Sequence, residues 1–338
     1  MGETDILPWH EDNWRLLMDC LDAGRLAHAL MLTGPQGLGK GRFARRLSRA
    51  LLCQKRGAGG EACGQCQGCR LFQAGNHPDF LTLEPLDNKK VIGVDQVREM
   101  ADFLSLKSQY GHWRCIRIMP AERMNENAAN SLLKTLEEPP AGTVLMLVTD
   151  RPARVMATLR SRCQKITFGL PRRASALDWL APRLPGHGRE EAETLLALAN
   201  GAPLAALALA GGEILDHRRP MLEDVAQLFS RQGDPLAIAE KWLKLDAKAS
   251  LYWLYSWLVD MSRLKMAGPA THLANPDFRE DLLRISELID TADLLFNVSR
   301  IEKAILQLEG QVNPQLLLED LLIACEAGSQ NNEMNPAT

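Results

Sequence analysis

Residues 29–53 read ALMLTGPQGLGKGRFARRLSRALLC: an apolar run, a glycine-rich loop and an amphipathic segment in succession. In the amphipathic segment Phe43, Leu47 and Leu51 recur every four residues, the spacing of one helix face. A strand, a glycine-rich loop and a helix in this order are the setting in which Gly-x-x-x-x-Gly-Lys binds phosphate. The stretch therefore predicts a phosphate loop between a buried strand and a helix.

Four more apolar runs follow in the first half of the chain. They are DFLTLEP (79–85), RCIRIMP (114–120), TVLMLVTD (143–150) and CQKITF (163–168). Amphipathic stretches separate them, among them NAANSLLKTLEE, which Pro139-Pro140 terminates. Alternation of strand and helix is typical of a parallel sheet covered by helices, so residues 1–168 are predicted to form an α/β domain.

Strand patterns stop after GLPRR (169–173). Residues 169–210 hold short helical stretches broken by proline and glycine, which predicts a small helical domain. From 211 to 327 the pattern is helical throughout, which predicts a third, all-α domain. The tail 328–338, GSQNNEMNPAT, is mostly polar, offers no apolar pattern to bury in a core and is predicted to be disordered.

Composition narrows the class of protein. With 46% hydrophobic and 24% charged residues, the chain is expected to fold. No apolar run approaches the ~20 residues that span a bilayer, so we expect a cytoplasmic protein with no membrane partner. Residues 1–168 hold 23 Lys and Arg against 18 Asp and Glu, and the remainder 16 against 24. The first half is therefore the one suited to face phosphates.

The glycine-rich loop offers phosphate ligands but lacks one metal ligand. Backbone amides at Gly34, Gly37 and Gly39 can point at phosphate oxygens, and Lys40 can reach the terminal phosphates. The next position normally supplies a Ser or Thr hydroxyl to Mg²⁺, and here it is Gly41. The loop is therefore predicted to be a degenerate phosphate loop.

A second part of an ATPase site is missing as well. An active site needs acidic residues at the end of a buried strand, but Met119 and Pro120 follow the run that ends at Ile118. The nearest acid, Glu122, lies beyond the proline. We expect no intrinsic ATPase activity, and expect that this chain does not use ATP and Mg²⁺. An active ATPase in which Glu122 supplies the missing carboxylate stays open as the alternative.

Four of the eight cysteines are clustered in sequence. Cys53, Cys63, Cys66 and Cys69 have the spacing of a four-thiolate Zn²⁺ site, with glycines that permit tight turns. An iron–sulfur cluster is the alternative, although its familiar motif continues with a further Cys-Pro that is absent here. A closed four-thiolate shell leaves no position for water, so the predicted role of the zinc is structural.

Taken in order, the phosphate loop, the cysteine module, NHPDF (76–80), NAANSLLKTLEEPP (127–140) and LRSRCQKITF (159–168) resemble the bacterial clamp-loader AAA+ proteins. Among these proteins the chain is most similar to members that keep the fold and the zinc module but have lost hydrolysis. The resemblance implies an AAA+ RecA-like domain, a helical lid domain and a C-terminal helical collar domain.

The resemblance also implies partners. The collar would join delta and gamma/tau subunits in a heteropentamer of the DNA polymerase III holoenzyme. Through that complex, the chain would meet the sliding clamp and primer–template DNA. Without the resemblance, a stand-alone zinc-containing nucleic-acid-binding protein is the third possibility, which the basic first half favours and the acidic remainder does not.

Two residue roles come from the resemblance. Arg162, in Ser161-Arg162-Cys163, matches the arginine that reaches into the ATP site of a neighbouring subunit. Thr149 matches the family's polar residue at the end of the fourth strand, which makes it a candidate nucleotide-binding residue; a threonine that only caps the strand is the alternative. Leu204 stands where those members carry a nucleotide-sensing arginine, which agrees with a silent site.

Overall fold

The computed structural model divides the chain into two compact units, residues 1–175 and 176–338. The structure describes residues 6–86, 89–110, 113–184, 188–211, 217–245, 247–268, 271, 273–308 and 312–328. The predicted domain boundaries, 1–168, 169–210 and 211–327, stay predictions. The predicted disordered tail lies outside the described residues except for Gly328.

A five-stranded parallel sheet forms the centre of the first unit. Its strands are β1 (Ala29–Thr33), β2 (Phe80–Leu83), β3 (Arg114–Ile118), β4 (Thr143–Thr149) and β5 (Gln164–Thr167). The order across the sheet is β2-β3-β4-β1-β5, with β1 paired to β4 on one side and β5 on the other. All five lie within the predicted apolar runs, which confirms the α/β class.

Helices cover both faces of this sheet. They are α1 (Glu11–Asp22), α2 (Lys40–Leu51), α3 (Gln67–Gln73), α4 (Val94–Ser105), α5 (Glu126–Glu137) and α6 (Ala157–Arg160). Helix α7 (Arg173–Leu180) crosses the boundary between the two units along the chain. Alternate residues of a strand face opposite sides. Leu145 packs in one core with Met100 of α4 and Leu132 of α5, while Met146 faces Ser48 of α2.

The loop after β1 is fixed by close packing. Gly34 has φ 143°, and a Cβ there would lie 2.3 Å from the carbonyl oxygen of Phe168. Gly39, with φ 79°, precedes the first residue of α2. Only glycine fits at position 34 without moving Phe168, the residue after β5. Packing of the fold therefore requires this part of the glycine-rich motif.

The second unit is helical in the part that the structure describes. It contains α8 (Arg189–Leu198), α9 (Pro203–Ala210), α10 (Arg218–Phe229), α11 (Pro235–Leu245), α12 (Ala247–Ala267), α13 (Arg279–Ser286), α14 (Thr291–Leu308) and α15 (Pro314–Gly328). Helices α10, α11, α12, α13, α14 and α15 share one apolar core, in which Trp242 and Trp257 are fully buried. This confirms the all-α class of the C-terminal part.

Among the described residues, no single helix has both the length and the apolar composition to cross a bilayer. The pair Glu191–Leu198 and Pro203–Ala210 meets that standard only when the two are joined across a 115° bend.

Candidate functional site

Lys40, at the start of α2, is held by the chain itself. Its side chain is 3% exposed, and Nζ lies 2.6 Å from Oδ1 of Asp150. Nζ also donates to the carbonyl oxygens of Gly34 at 2.7 Å and Pro35 at 2.6 Å. An ammonium has three protons, and these three acceptors match them. A phosphate that reaches Lys40 must therefore displace Asp150 or a loop carbonyl.

The position of the missing hydroxyl is occupied by a neighbouring side chain. A Cβ built on Gly41 would lie 2.7 Å from Sδ and 3.3 Å from Cε of Met119. Met119 is the first residue after β3, at the position where an active ATPase would carry a carboxylate. The two departures from an ATPase motif are thus in contact, because the methionine thioether fills the space beside the glycine.

Thr149 closes the end of β4. It is 1% exposed, and its Oγ1 accepts the backbone N–H of Arg151 at 3.0 Å. Its backbone is in register with Thr33 at the end of β1. This contact caps the strand, and the nucleotide-facing role stays a prediction.

Glu122 lies in a short 3₁₀ turn, Ala121–Arg123, beyond the end of β3. It is partly buried, and its Oε2 has no hydrogen-bond partner among the described residues. The turn leaves this carboxylate outside the strand, as the sequence predicted.

The four clustered cysteines converge after the C-terminal end of α2. Their sulfur atoms all lie within 4.8 Å of one another, and Sγ of Cys53 is 3.8 Å from Sγ of Cys66. Sulfur atoms 2.3 Å from a tetrahedral Zn²⁺ stand about 3.8 Å apart. The donor set therefore fits a metal ion such as zinc, with Cys53 and Cys69 buried and Cys63 and Cys66 half-buried.

Backbone amides prepare these sulfurs to carry negative charge. Cys53 accepts the N–H of Cys63 at 3.2 Å, Cys63 accepts that of Cys66 at 3.3 Å, and Cys66 accepts that of Cys69 at 3.4 Å. The N–H groups of Gln65 and Cys66 lower the pKa of the Cys63 thiol to about 6. Burial raises the pKa of Cys69 to about 12, so a cation is needed to hold all four as thiolates.

Arg162 follows α6 and bends back toward the end of α5. Its Nη2 lies 2.6 Å from Oε1 of Glu137, its Nε donates to the same oxygen at 2.9 Å, and its Nη1 donates to the carbonyl of Thr158 at 3.1 Å. The side chain is 38% exposed. Arg162 is therefore accessible, but Glu137 holds its guanidinium.

Sequence reasoning missed the acidic partners of both cations. Asp150 ends the apolar run TVLMLVTD and Glu137 lies in the amphipathic stretch NAANSLLKTLEE. Their contacts with Lys40 and Arg162 depend on strand register and on how separate segments pack, which neither stretch reveals. One signal was available for Asp150. It directly follows β4, which neighbours β1, and the carboxyl ends of adjacent parallel strands meet at one edge of the sheet.

Comparison with known proteins gives one consistent family. Residues 9–171 match the model of the DNA polymerase III delta subunit family, and residues 213–327 match the model of the C-terminal part of that delta subunit. DNA polymerase III subunit delta-prime of Pseudomonas aeruginosa is 37% identical over 328 residues, covering 95% of this chain and 97% of that protein. The Escherichia coli delta-prime subunit is 34% identical over 320 residues, covering 94% of this chain and 95% of that protein. A solved DNA polymerase III gamma subunit-related protein of Thermotoga maritima aligns with 95% of this chain and 99% of its own at 18% identity, with a TM-score of 0.43.

Proposed function

The chain belongs to the DNA polymerase III delta-prime family of bacterial clamp-loader proteins, and we propose that it is a clamp-loader subunit that does not itself hydrolyse ATP. In this role it assembles with delta and gamma/tau subunits in a heteropentamer. Through the complex, it helps place the sliding clamp on primer–template DNA in the cytoplasm, at the replisome in the nucleoid. The collar at 211–327 provides the contacts for assembly.

One observation supports the absence of ATP hydrolysis at this loop. The lysine of the loop and the position of the missing hydroxyl are both in contact with other groups of the same chain. Lys40 is bound by Asp150 and two loop carbonyls, and Met119 fills the space beside Gly41. Phosphoryl transfer needs a lysine on the terminal phosphates and a hydroxyl on Mg²⁺. Here the lysine is already bound and the hydroxyl is absent, which supports a subunit without turnover of its own.

The cysteine module holds Zn²⁺ in a structural role. Four sulfur donors at tetrahedral spacing and the N–H···S contacts between them support a single tetrahedral ion such as zinc. When bound, the ion supplies charge that keeps the four thiolates together and closes the excursion between α2 and β2. The module joins α2 to α3 without contributing a strand to the sheet.

Arg162 acts on a neighbouring gamma/tau subunit in the complex. A guanidinium is always protonated and can bridge two phosphate oxygens, so it suits the charge that develops on a γ-phosphate in a neighbour's site. Its exposure and its position beside β5 support this role. In the isolated chain Glu137 is its partner, so engagement with the neighbour exchanges a carboxylate for a phosphate.

Reconstitution with purified delta and gamma/tau subunits tests the proposal. The complex should form, load clamps on primed DNA, and lose loading when this chain is omitted. Size-exclusion chromatography and a clamp-loading assay read the two steps separately. Failure to co-elute with the other subunits, or loading that proceeds equally well without this chain, would contradict the proposed role.

A further inference from the structure

One face of α2 carries four arginines. Arg45 and Arg46 follow Arg42 by three and four residues and Arg49 follows it by seven, so the four share a side of the helix. They line a cavity of about 290 Å³ together with residues of the cysteine module and of the segment before α1. The volume lies near the lower end of the ~300–1,000 Å³ range of small-molecule pockets. We call this cavity the arginine pocket.

Acidic residues only partly balance the charge of the arginine pocket. Glu61 lines it and is bound by Arg46, whose Nε donates to Oε1 at 3.0 Å and whose Nη2 also contacts that oxygen. Oε2 of Glu11 lies 3.8 Å from the same guanidinium. Both carboxylates thus contact Arg46. Among the described residues that line the pocket, four arginines stand against one carboxylate, so the lining carries a positive excess.

Three guanidinium nitrogens in this set are buried and have no acceptor among the described residues. They are Nη1 of Arg42, Nη1 of Arg46 and Nε of Arg49. A buried donor without a partner destabilises a fold, and it does so more strongly when it is charged. Three such donors on side chains that line one cavity therefore favour an acceptor from outside the chain.

The walls of the arginine pocket hold the guanidinium groups in place. Arg46 lies over the ring of Trp14 at 3.8 Å from its centroid, and Arg45 lies over Phe72 at 5.0 Å. Cation–π contacts of this kind restrain a long side chain while its N–H groups stay able to donate. The arginines are therefore arranged before any ligand arrives.

His10 also lines this pocket and reports its field. Burial is the main cause that lowers the pKa of His10 to about 4; the hydrogen bond to the carbonyl of Leu38 opposes this shift, and the charges of Arg46, Arg42 and Lys40 contribute to it. The ring is neutral at pH 7, so the positive charge in the cavity comes from arginine alone and does not vary near neutral pH.

We propose that the arginine pocket binds a compact phosphate-bearing dianion or polyanion, of the class of inorganic pyrophosphate or a nucleoside diphosphate. Guanidinium groups offer paired N–H donors that match phosphate oxygens, and several of them around one cavity suit an anion with more than one phosphate. The site is separate from the phosphate loop, since none of the described residues that line it belongs to 34–41. The inference does not depend on the proposed clamp-loader role.

Calorimetric titration of the full-length chain with sodium pyrophosphate, without magnesium and at low salt, tests the proposal. Arg42→Ala with Arg49→Ala should weaken binding roughly tenfold or more, because each removes charge-assisted hydrogen bonds. Arg219→Ala with Arg284→Ala, two exposed arginines of the second unit, is the matched control and should bind as the wild type does. Added NaCl should weaken binding.

A gain-of-affinity variant keeps the test decisive if the double alanine variant unfolds. Glu61→Gln removes a competing carboxylate from Arg46, so pyrophosphate should bind several-fold more tightly. Titration with ADP distinguishes the two sources: ADP binding that the same arginine variant weakens assigns a nucleoside diphosphate, and pyrophosphate binding alone assigns the free anion. No binding by the wild type, or binding that Lys40→Ala removes and the arginine pair does not, would overturn the proposal.

Discussion

Helix α2 has a position for a metal ligand near each end, and only the position at the C-terminal end has its ligands. At its C-terminal end, four cysteine sulfurs stand within 4.8 Å of one another, a complete donor set. At its N-terminal end, Gly41 offers no ligand, Met119 occupies the adjoining space, and Asp150 holds Lys40. One site is built for an ion, and the other is closed by the chain's own side chains.

The difference shows why a phosphate-loop motif does not by itself establish nucleotide use. Gly34 persists because a Cβ there would collide with the carbonyl oxygen of Phe168, which is a packing reason. Position 41 and the end of β3 lie next to each other, so the loss of a ligand at one is matched by a larger apolar side chain at the other. Packing keeps the glycine, while the ligand positions are free to change.

The largest effect is expected at the cysteine site. Cys66→Ser should lower bound zinc from one per chain to none, because a structural site needs all four thiolates at neutral pH. Elemental analysis of the purified chain measures this. The excursion between α2 and β2 should become more open to hydrogen exchange, with the sheet still protected.

Cys20→Ser is the matched control, since Cys20 is half-buried outside the cluster. It should keep the zinc. Iron with visible absorption in the wild-type protein, or zinc retained at full stoichiometry in Cys66→Ser, would contradict the assignment.

At the other end of α2, the bound lysine can be released. Asp150→Asn removes the charge that holds Lys40, so the affinity for ATP without magnesium should rise roughly tenfold, the value of one charge-assisted hydrogen bond. Fluorescence titration with a labelled nucleotide measures the change. Adding Lys40→Ala to the variant should cancel the gain, and equal affinity in wild type and Asp150→Asn would show that Asp150 does not gate the loop.

The third effect appears only in the complex. Arg162→Ala should lower the DNA- and clamp-stimulated ATPase rate of the reconstituted complex only by the share of one ATP site. At that one site, an arginine supplied by a neighbouring subunit (an arginine finger) can raise the rate of hydrolysis by ~10³ to 10⁵. Arg162→Lys should restore little, because an ammonium lacks the paired geometry. Assembly should be unchanged.

Two companions separate this role from a surface contact. Arg160→Ala removes an exposed arginine two residues away and should leave the ATPase unchanged. Glu137→Gln frees Arg162 and should not lower the ATPase. An Arg162→Ala complex that hydrolyses ATP and loads clamps at the wild-type rate would remove the finger role.

The strands and the cysteine cluster could be predicted from the sequence, and the contacts of the charged residues could not. Buried parallel strands are continuous apolar runs, so all five strands lie inside the apolar runs that predicted them. Cysteine spacing also fixes a metal site locally. The Lys40–Asp150 and Arg162–Glu137 pairs join segments more than twenty residues apart, so they require the register of β1 against β4 and the end of α5.

The arginine pocket shows the same limit in another form. The apolar face of α2 was recognised from Phe43, Leu47 and Leu51, which are all buried. The arginine face lines a cavity only because the cysteine module and the segment before α1 fold against it. A pattern within one helix predicts which side is buried, and not what the other side meets.

The smallest effect concerns the space shared by Gly41 and Met119. Gly41→Ser should destabilise the chain by about 1 kcal/mol, because the flexible end of Met119 must move aside. Met119→Ala makes room for the serine, so the double variant should be more stable than the sum of the two single changes by roughly 0.5 kcal/mol or more. Urea denaturation measures all three. Simple additivity would show that the two residues do not exclude each other.

Magnesium-dependent ATP hydrolysis by the purified full-length chain, with and without primed DNA, bears on the contrast between the two ends of α2. A loop whose lysine is held by Asp150 and whose metal-ligand position is filled by Met119 should release no phosphate above the background of Lys40→Ala. Magnesium-dependent turnover in the wild type that Lys40→Ala abolishes would show an active site at this loop and contradict the account.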